Sequence, residues 1–308
     1  MEEVKIGTRG SKLALWQAEF VASELSKNGL KPIISVIETK GDQLLDVSIS
    51  KIGGKGVFTE ELEEQLKNGT IDIAVHSAKD LPSRLPEELK ILAFTEREKA
   101  NDVLISSNHE ISLETDPITV GTSSTRRIAT LRHYYPHVKT VEIRGNLQTR
   151  IRKMEEGQCD ALLLAFAGVY RMGYSHMIVQ ELSLEKFTPA VGQGSLALEV
   201  STEMDPVLAT KIYEAINHNP TEKQLLAERA YLRELEGGCS IPAFALAQYS
   251  ESGNITLQAG IFSLDGKKLK QKSSEFKADQ CMEGGQKLAK EILKEGGQEI
   301  LKEIRKQL

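Results

Sequence analysis

Arginine is concentrated in one stretch of this chain. Seven of its thirteen arginines lie between residues 126 and 171, although the formal net charge of the chain is -5. A guanidinium stays charged in any surroundings and forms paired hydrogen bonds to carboxylates and phosphates. The concentration therefore predicts a binding site for a ligand with several acidic groups, although Arg132 and Arg152 fit a solvated helix surface equally well. The seven are Arg126, Arg127, Arg132, Arg144, Arg150, Arg152 and Arg171.

These arginines lie where strand-like segments run into helical ones. Residues 118–120 are strand-like and lead through Gly121-Thr122-Ser123-Ser124 into a helical pattern, so Ser123 or Ser124 is expected to cap a helix. Arg144-Gly145-Asn146 repeats the arrangement after the strand-like residues 141–143. A helix N-terminus offers free N–H groups to an anion. We therefore expect both junctions to point toward one anionic ligand.

A second group of polar residues follows the apolar segment 71–75. It reads His76-Ser77-Ala78-Lys79-Asp80, and a similar strand-to-helix junction, Thr8-Arg9-Gly10-Ser11, occurs near the start of the chain. Catalytic groups of open α/β sheets lie beyond the carboxyl ends of the strands. Position therefore favours a functional role for Asp80, although a surface ion pair between Lys79 and Asp80 would give the same pattern.

A glycine-rich and basic segment runs from Lys51 to Phe58. It lacks the GxxxxGK[ST] spacing of a nucleotide-binding loop, which disfavours a nucleotide ligand. A lid over the predicted site and a plain surface loop are both compatible with its composition.

Cys239 has unusual neighbours. It follows Gly237-Gly238 and precedes Ser240-Ile241-Pro242. A buried structural cysteine is the ordinary expectation, but two adjacent glycines give no side-chain shielding and leave the sulfur approachable. Cys159 at a strand start and Cys281 at a helix start fit an ordinary structural role. The three cysteines and six histidines include no CxxC or HExxH arrangement, so no metal site is predicted.

The elements that position these groups alternate as strand and helix. Residues 4–39 read as β-α-β, residues 91–106 cross into a second region, and residues 189–194 return, so that 196–200 completes the first sheet. This predicts an α/β fold of two lobes with the ligand between them. The last part reads as helix, hairpin and two helices, which predicts a small α+β domain. The predicted domains are 1–97 with 195–216, 101–190, and 219–308.

Composition excludes several classes of protein. Hydrophobic residues make up 40% and charged residues 27%, which indicates a globular chain without extended disorder. The first residues read directly into a strand, and no apolar run approaches the roughly 20 residues of a membrane span. We therefore expect no membrane partner, and three cysteines without pairable spacing favour a reducing cytoplasm. For the oligomeric state, our expectation is a monomer. A sequence pI of about 5.8 disfavours nucleic acid.

Two alternatives to an enzyme remain open from the residues alone. The first is a two-lobed binding protein for a small polyanion, which the lack of a predicted export signal disfavours. The second is an RNA-binding protein that uses the arginine-bearing helices. Aromatic residues make up only 5% of the chain, which provides few rings for stacking on bases.

In their joint order, these segments resemble the porphobilinogen deaminase family, also called the hydroxymethylbilane synthase family, over nearly the whole chain. No segment is decisive alone, but their order is specific. The resemblance implies two lobes similar to those of type II periplasmic binding proteins and a third α+β domain. The segments that carry it are 8–11, 15–18, 52–58, 72–80, 121–127, 144–146 with Arg150, 189–194 and 235–239.

The resemblance implies a transferase of tetrapyrrole biosynthesis. Members of the family condense four porphobilinogen molecules head to tail, with loss of ammonia, on a dipyrromethane cofactor and release the linear tetrapyrrole hydroxymethylbilane. The cofactor is joined by a thioether to the cysteine of Glu-Gly-Gly-Cys, which corresponds to Cys239. Asp80 corresponds to the catalytic carboxylate, which would stabilise the cationic pyrroles formed at each coupling.

Every pyrrole unit carries an acetate and a propionate, so the resemblance also implies many residues that bind carboxylates. The implied cofactor-binding residues are Ser77, Lys79, Thr122, Ser123, Ser124, Arg126, Arg127 and Gly145. The implied residues for substrate and the growing chain are Arg9, Ser11, Gln17, Lys55, Phe58, Arg144, Arg150 and Arg171, with Gln17, Lys55 and Phe58 on the side of the lid.

The chain departs from the family pattern at two places. Cys239 is followed by Ser-Ile-Pro where the family commonly has Gln-Val-Pro, a change that leaves the thiol in place. Lys99-Ala100-Asn101-Asp102 stands where the family usually has Asp-Pro-Arg-Asp. The second change removes an arginine near the crossover, so no role for that position is implied here.

Overall fold

The computed structural model describes residues 2–39, 59–238 and 240–307. The chain forms two compact units, of which unit 1 is Met1–Glu98 with Gly194–Glu222 and unit 2 is Lys99–Gln193 with Lys223–Leu308. The division into three domains remains a prediction. Within the described ranges, no helix combines the length and the apolar character needed to cross a bilayer.

The strands alternate with helices through most of the chain. The strands are β1 (Glu3–Arg9), β2 (Lys31–Ile37), β3 (Ile73–Ser77), β4 (Leu89–Phe94), β5 (Asp102–Ile105), β6 (Thr119–Gly121), β7 (Lys139–Val141), β8 (Ala161–Ala165), β9 (Ile178–Glu181), β10 (Leu196–Ser201), β11 (Ala243–Tyr249), β12 (Ile255–Phe262) and β13 (Leu269–Phe276). The α-helices are α1 (Lys12–Lys27), α2 (Glu60–Lys67), α3 (Thr125–Tyr134), α4 (Leu147–Glu155), α5 (Phe166–Arg171), α6 (Pro206–Ile216), α7 (Asn219–Glu234), α8 (Cys281–Ile292) and α9 (Gln298–Arg305).

Unit 1 contains a five-stranded mixed sheet in the order β2-β1-β3-β10-β4. Strand β1 runs parallel to β2 and β3, whereas β10 runs antiparallel to both β3 and β4. Val21 and Leu25 of α1 pack with Ile212 of α6 in one apolar cluster, and Leu62 and Leu66 of α2 pack in another. The prediction that residues 196–200 complete the first sheet is therefore confirmed.

Unit 2 contains a second five-stranded sheet, in the order β7-β6-β8-β5-β9. Strand β6 is parallel to β7 and β8, and β5 is antiparallel to β8 and β9. Both sheets therefore have the same arrangement, with the strand in the fourth position, β10 or β5, antiparallel to its two neighbours. This arrangement confirms the predicted α/β class with type II periplasmic-binding-protein-like lobes.

The C-terminal part of unit 2 forms a three-stranded antiparallel sheet, β11-β12-β13. Its core joins Tyr231 of α7 to Leu288 of α8 and Ile300 of α9, all fully buried. The small α+β domain is confirmed in class, and its predicted hairpin corresponds to β11 and β12. Strand β13 was missed because Leu269–Phe276 is a largely polar edge strand without a clear apolar alternation.

One sequence-predicted strand lies at a slightly different place. Residues 141–143 were expected to form it, but the ladder with β6 involves Lys139–Val141. Thr122 N–H donates to the Val141 carbonyl at 2.9 Å as the last contact of this ladder, which stops there because β6 ends at Gly121 and the chain continues toward α3.

Candidate active site

The carboxyl ends of β1 and β3 lie at the same edge of the unit 1 sheet, because the two strands are parallel neighbours. Arg9 ends β1, and Ser11 caps α1 by accepting a hydrogen bond from Ala14 N–H at 3.3 Å. Strand β3 ends at Ser77 and continues into a single 3-10 turn, Ala78–Asp80. The fold therefore brings the predicted residues 9–11 and 77–80 to one edge.

Asp80 ends this short turn and is solvent exposed, while Lys79 and Ser77 are half-buried. Ala78 N–H donates to the Ser195 carbonyl at 3.0 Å, which anchors the turn to the residue just before β10. An exposed carboxylate on an anchored turn can contact a cation that enters from solvent. This is the property expected of an aspartate that stabilises cationic pyrroles.

Gln17 of α1 forms a hydrogen bond to the residue that leads into this turn. Its side-chain Nε2 donates to Ser77 Oγ at 2.9 Å, and the residue is only 4% exposed. The sequence grouped Gln17 with residues on the lid side, whereas the structure places its amide beneath Ser77. A role in substrate binding remains a prediction for Gln17.

In unit 2, the parallel strands β6, β7 and β8 each lead into a helix at the same edge of the sheet. Ser124 caps α3 by accepting from Arg127 N–H at 3.4 Å, which confirms one of the two predicted caps. Ser123 Oγ instead donates to the Ile143 carbonyl at 2.7 Å. This hydrogen bond ties the junction that precedes α3 to the junction that precedes α4.

The second junction depends on a glycine. Gly145 has φ of 116°, and a Cβ at this position would lie 2.7 Å from Thr149 Cγ2, so a side chain is excluded there. Asn146 caps α4 by accepting from Thr149 N–H at 2.9 Å. Arg150 Nε donates to the Gly145 carbonyl at 2.7 Å, and the guanidinium of Arg144 pairs with Glu142. The junction therefore holds both predicted arginines close to the start of the helix.

Arg126 and Arg127 are buried, with exposures of 4% and 6%, and both contact the fully buried Asp102. Arg126 Nη2 lies 2.8 Å from Asp102 Oδ2, and Arg127 Nη2 lies 2.8 Å from Oδ1. Gln193 Nε2 adds a hydrogen bond to Oδ1 at 2.9 Å. The two cations and one anion leave net positive charge within this cluster, which consists of Asp102, Arg126, Arg127 and Gln193.

This charged cluster also secures the two segments that connect the units along the chain. Asp102 opens β5 directly after the first crossover, and Gln193 ends the second crossover while donating to the Ala100 carbonyl at 2.7 Å. Burial is the largest single influence and raises the pKa of the Asp102 carboxyl, but Arg126, Arg127 and the hydrogen bond from Gln193 together outweigh it, so the net pKa lies well below the ordinary range. Asp102 therefore stays ionised in the folded protein.

Sequence reasoning did not identify Asp102 as part of the site. In the sequence, Asp102 is only the last member of the segment 99–102, followed by an apolar strand. The signal that could have indicated it is an acidic residue at the start of a buried strand in a chain with several arginines, since a buried charge requires a partner.

The remaining arginines of the region have different surroundings. Arg171 ends α5 and is half-buried. Arg152 forms an exposed ion pair with Glu156 at 3.6 Å, and Arg132 donates to the Leu264 carbonyl at 2.9 Å. Arg152 therefore fits the alternative of a solvated charge on a helix surface. Arg132 instead joins α3 to the loop between β12 and β13.

Cys239, Lys55 and Phe58 lie outside the described residues, as does the whole predicted lid 51–58. The other two cysteines are both buried, as expected for structural residues. Burial raises the pKa of the Cys159 thiol to about 11, which disfavours its thiolate. Within the described part of the chain, no group of three or more His, Cys, Asp or Glu side chains could hold a metal ion.

The donor groups at these edges fit a cofactor rich in carboxylates. Hydroxyl groups and backbone N–H groups precede α3 and α4, and the charged cluster next to them retains positive charge after Asp102 is counted. Carboxylates are held by such combinations of hydroxyl, helix N-terminus and guanidinium.

Solved structures with partial similarity to this chain include the following two. The Bordetella pertussis BvgS periplasmic VFT2 domain matches with a TM-score of 0.44 and 18% identity over 69% of this chain and 86% of that one. The second substrate-binding domain of a putative amino acid ABC transporter from Streptococcus pneumoniae matches with a TM-score of 0.44 and 14% identity over 69% and 91%.

Curated relatives match over almost the full length. A porphobilinogen deaminase of Cytophaga hutchinsonii is 57% identical over 292 residues, covering 94% of this chain and 93% of the relative. One from Desulfosudis oleivorans is 53% identical over 268 residues, covering 86% of each. Residues 4–209 match the family described as porphobilinogen deaminase, dipyromethane cofactor binding domain, and residues 223–294 match the porphobilinogen deaminase C-terminal domain. The resemblance stated from the sequence is thereby confirmed: the chain belongs to the porphobilinogen deaminase family.

Proposed function

We propose that this protein is the transferase that condenses four porphobilinogen molecules head to tail, with loss of ammonia, and releases hydroxymethylbilane for porphyrin and heme biosynthesis. The observation that carries the proposal is the match of both family domains along the chain, over residues 4–209 and 223–294. The exposed Asp80, on a turn anchored at the edge of the sheet, supplies the carboxylate that this chemistry requires.

Asp80 is the catalytic residue of this proposal. Loss of ammonia from the aminomethyl group of porphobilinogen leaves a cation on the substrate, and a second cation forms when a pyrrole α-carbon attacks it. A carboxylate close to the pyrrole N–H groups stabilises both cations and can accept the proton that is then lost. The turn that carries Asp80 is fixed by Gln17 and by the Ser195 carbonyl, so little reorganisation is needed at each coupling.

The cofactor, dipyrromethane, is proposed to be joined to Cys239 by a thioether. When bound, it supplies the nucleophilic pyrrole carbon at which the chain is extended. This protein's own residues hold its acetate and propionate groups through hydroxyl, ammonium, guanidinium and backbone N–H donors. They are Ser77, Lys79, Thr122, Ser123, Ser124, Arg126, Arg127 and the backbone at Gly145.

Arg126 and Arg127 contribute to this binding mainly through the charge that they retain. Each is nearly buried and already bound to Asp102, so neither is available for a full bidentate contact with a ligand without a change of side-chain position. The residual positive charge of the cluster attracts a carboxylate toward the N-terminus of α3, where Ser124 and the backbone N–H groups lie.

A second set of residues is proposed to bind incoming porphobilinogen and the growing chain. Arg9 and Ser11 lie at the carboxyl end of β1, and Arg144 and Arg150 lie at the start of α4. The proposed set is Arg9, Ser11, Gln17, Lys55, Phe58, Arg144, Arg150 and Arg171.

We further propose a cytoplasmic monomer with the domains 1–97 with 195–216, 101–190 and 219–308, and no nucleic-acid or membrane partner. The acidic pI of about 5.8 supports the absence of nucleic acid. Sedimentation of the purified protein tests the monomer.

Intact mass spectrometry of the protein purified from a host that makes tetrapyrroles tests the function. We expect a mass above that of the polypeptide by two condensed pyrrole units, a colour with Ehrlich's reagent, and consumption of added porphobilinogen. Cys239→Ser is expected to lose the adduct, whereas the matched control Cys159→Ser is expected to keep it. A bare polypeptide mass and no consumption of porphobilinogen would instead favour a binding protein for polyanions.

A further inference from the structure

Two buried titratable side chains in unit 1 have no part in the proposed reaction. His76 Nε2 lies 3.0 Å from Glu199 Oε2, and the two side chains are 6% and 0% exposed. The distance is that of an ion pair, although the angles fall outside those of a regular hydrogen bond, and neither oxygen of Glu199 has another hydrogen-bond partner among the described residues. His76 Nε2 is therefore the principal polar contact of the Glu199 carboxylate among the described residues.

The pair lies directly behind the catalytic turn. His76 belongs to β3 and immediately precedes Ser77, while Glu199 belongs to the neighbouring antiparallel strand β10. His76 is opposite Ala197 and Glu199 is opposite Ala74, so both side chains project from the same face of the sheet on a diagonal. The contact therefore joins the last buried residue of β3 to the next strand.

The end of β3 is consequently held at three successive residues. His76 contacts Glu199 on one face of the sheet, and Ser77 accepts a hydrogen bond from Gln17 of α1 on the other face at 2.9 Å. Ala78 N–H then donates to the Ser195 carbonyl at 3.0 Å. Because Asp80 lies only two residues further on, these contacts determine the direction in which the turn leaves the sheet.

A buried carboxylate is an unfavourable choice for stability alone. Removing a carboxylate and an imidazole from water costs free energy. Proteins in which a buried pair is replaced by apolar residues of similar volume are often no less stable. The residues paired with them on the same face, Ala74 and Ala197, are apolar and fully buried. A polar pair at this point therefore indicates that the orientation of the end of β3 matters, since a polar contact restricts geometry more narrowly than apolar packing does.

We propose that His76 and Glu199 form a positioning pair that sets the orientation of the turn 77–80 and so the placement of the Asp80 carboxylate for each coupling step. The inference rests on the proposed function. The pair acts through Asp80 and touches no reacting atom, so its loss lowers the rate of the chemical step more than the binding of porphobilinogen.

Steady-state kinetics of the holoenzyme test this pair, with Glu199→Gln, His76→Gln and the double variant compared with wild type. We expect kcat to fall by about tenfold to a hundredfold in each single variant, as for a small misplacement of a catalytic group, with KM within about twofold of wild type. The double variant is expected to be no slower than the slower single variant, because the two residues act as one unit. Leu198→Ala is the control, since it weakens the same strand on its opposite, apolar face.

Three outcomes would overturn the positioning role. The first is a kcat of Glu199→Gln equal to wild type, and the second is the same loss of kcat in Leu198→Ala at an equal shift of Tm. The third is failure of both Glu199→Gln and His76→Gln to fold, which would make the pair a determinant of folding alone. A wild-type protein with neither covalent pyrrole nor turnover would contradict the proposed function instead, so the two failures are distinct.

Discussion

The two five-stranded sheets share one strand order but bury different polar groups on the antiparallel strand. In unit 1, β10 carries Glu199, whose contact is the imidazole of His76. In unit 2, β5 carries Asp102, which contacts two guanidinium groups and an amide. The same scaffold therefore contains a small pair in one lobe and a charged cluster in the other.

The difference extends to the groups that each lobe presents at the carboxyl ends of its parallel strands. In unit 1, β3 ends in a single 3-10 turn that exposes a carboxylate, Asp80. In unit 2, β6 and β7 lead into helices whose N-termini are capped by Ser124 and Asn146 and flanked by arginines. The same strand order thus leads to an exposed carboxylate at the end of β3 in one lobe and to arginines beside capped helix N-termini in the other, so the residues at the strand ends, rather than the topology, distinguish the two lobes.

The largest expected effect is the loss of protein stability when either of the two buried carboxylates, Asp102 or Glu199, is removed. Asp102→Ala leaves two guanidinium groups buried without their anion, and we expect a loss of about 3–5 kcal/mol in the free energy of unfolding. Glu199→Ala removes the partner of one imidazole, and we expect about 1–3 kcal/mol. Urea denaturation followed by circular dichroism measures both. A larger loss for Glu199→Ala would reverse the comparison.

The next effect concerns the exposed carboxylate of unit 1. Asp80→Ala removes the carboxylate proposed to stabilise the cationic substrate, so we expect kcat to fall by about a hundredfold to a thousandfold with the fold and the covalent pyrroles retained. Glu87→Ala, an exposed carboxylate in the same unit, is the matched control and should have wild-type turnover. Turnover by Asp80→Ala at the control's rate would show that this carboxylate is not catalytic.

A matched pair of arginines tests the cationic edge of unit 2. Arg150 is held to the Gly145 carbonyl at the start of α4, whereas Arg152 lies in an exposed ion pair on the same helix. Arg150→Ala should raise KM by about tenfold or more, the effect of losing a charge-assisted hydrogen bond of about 1.5–3 kcal/mol. Arg152→Ala should change KM little, because exposed pairs contribute about 0–1 kcal/mol. Equal KM values for the two variants would contradict the assignment of Arg150.

The smallest expected effect is the pH dependence of protein stability that arises from Asp102. Its folded-state pKa is depressed by Arg126 and Arg127, so its stabilising effect is fully present above the unfolded-state pKa of about 3.9 and is lost as the pH falls toward the folded-state pKa. The difference in unfolding free energy between wild type and Asp102→Asn should be constant from about pH 7 to 5 and should then narrow by up to about 1.4 kcal/mol per pH unit below about pH 4. A difference that already narrows between about pH 7 and 6 would contradict this cause.

The sequence by itself determined the local features of the site. Ser11, Ser124 and Asn146 each cap a helix within three residues of themselves, and Gly145 provides a backbone conformation that other residues rarely adopt. These features follow from short-range hydrogen bonds and sterics, so residue type and spacing predict them. The α/β class followed in the same way from the alternation of apolar strands and amphipathic helices.

Only the tertiary structure decided which polar groups contact each other. Gln17 reaches Ser77 across 60 positions of sequence, and Arg127 reaches Asp102 across 25. Strand order determines such contacts, and no local pattern reveals that Asp102 would occupy two of the arginines or that Glu199 would lie beside His76. From the sequence alone, the arginines indicated positive charge. Whether each guanidinium is exposed to a ligand depends on long-range pairing, because buried charges require a partner.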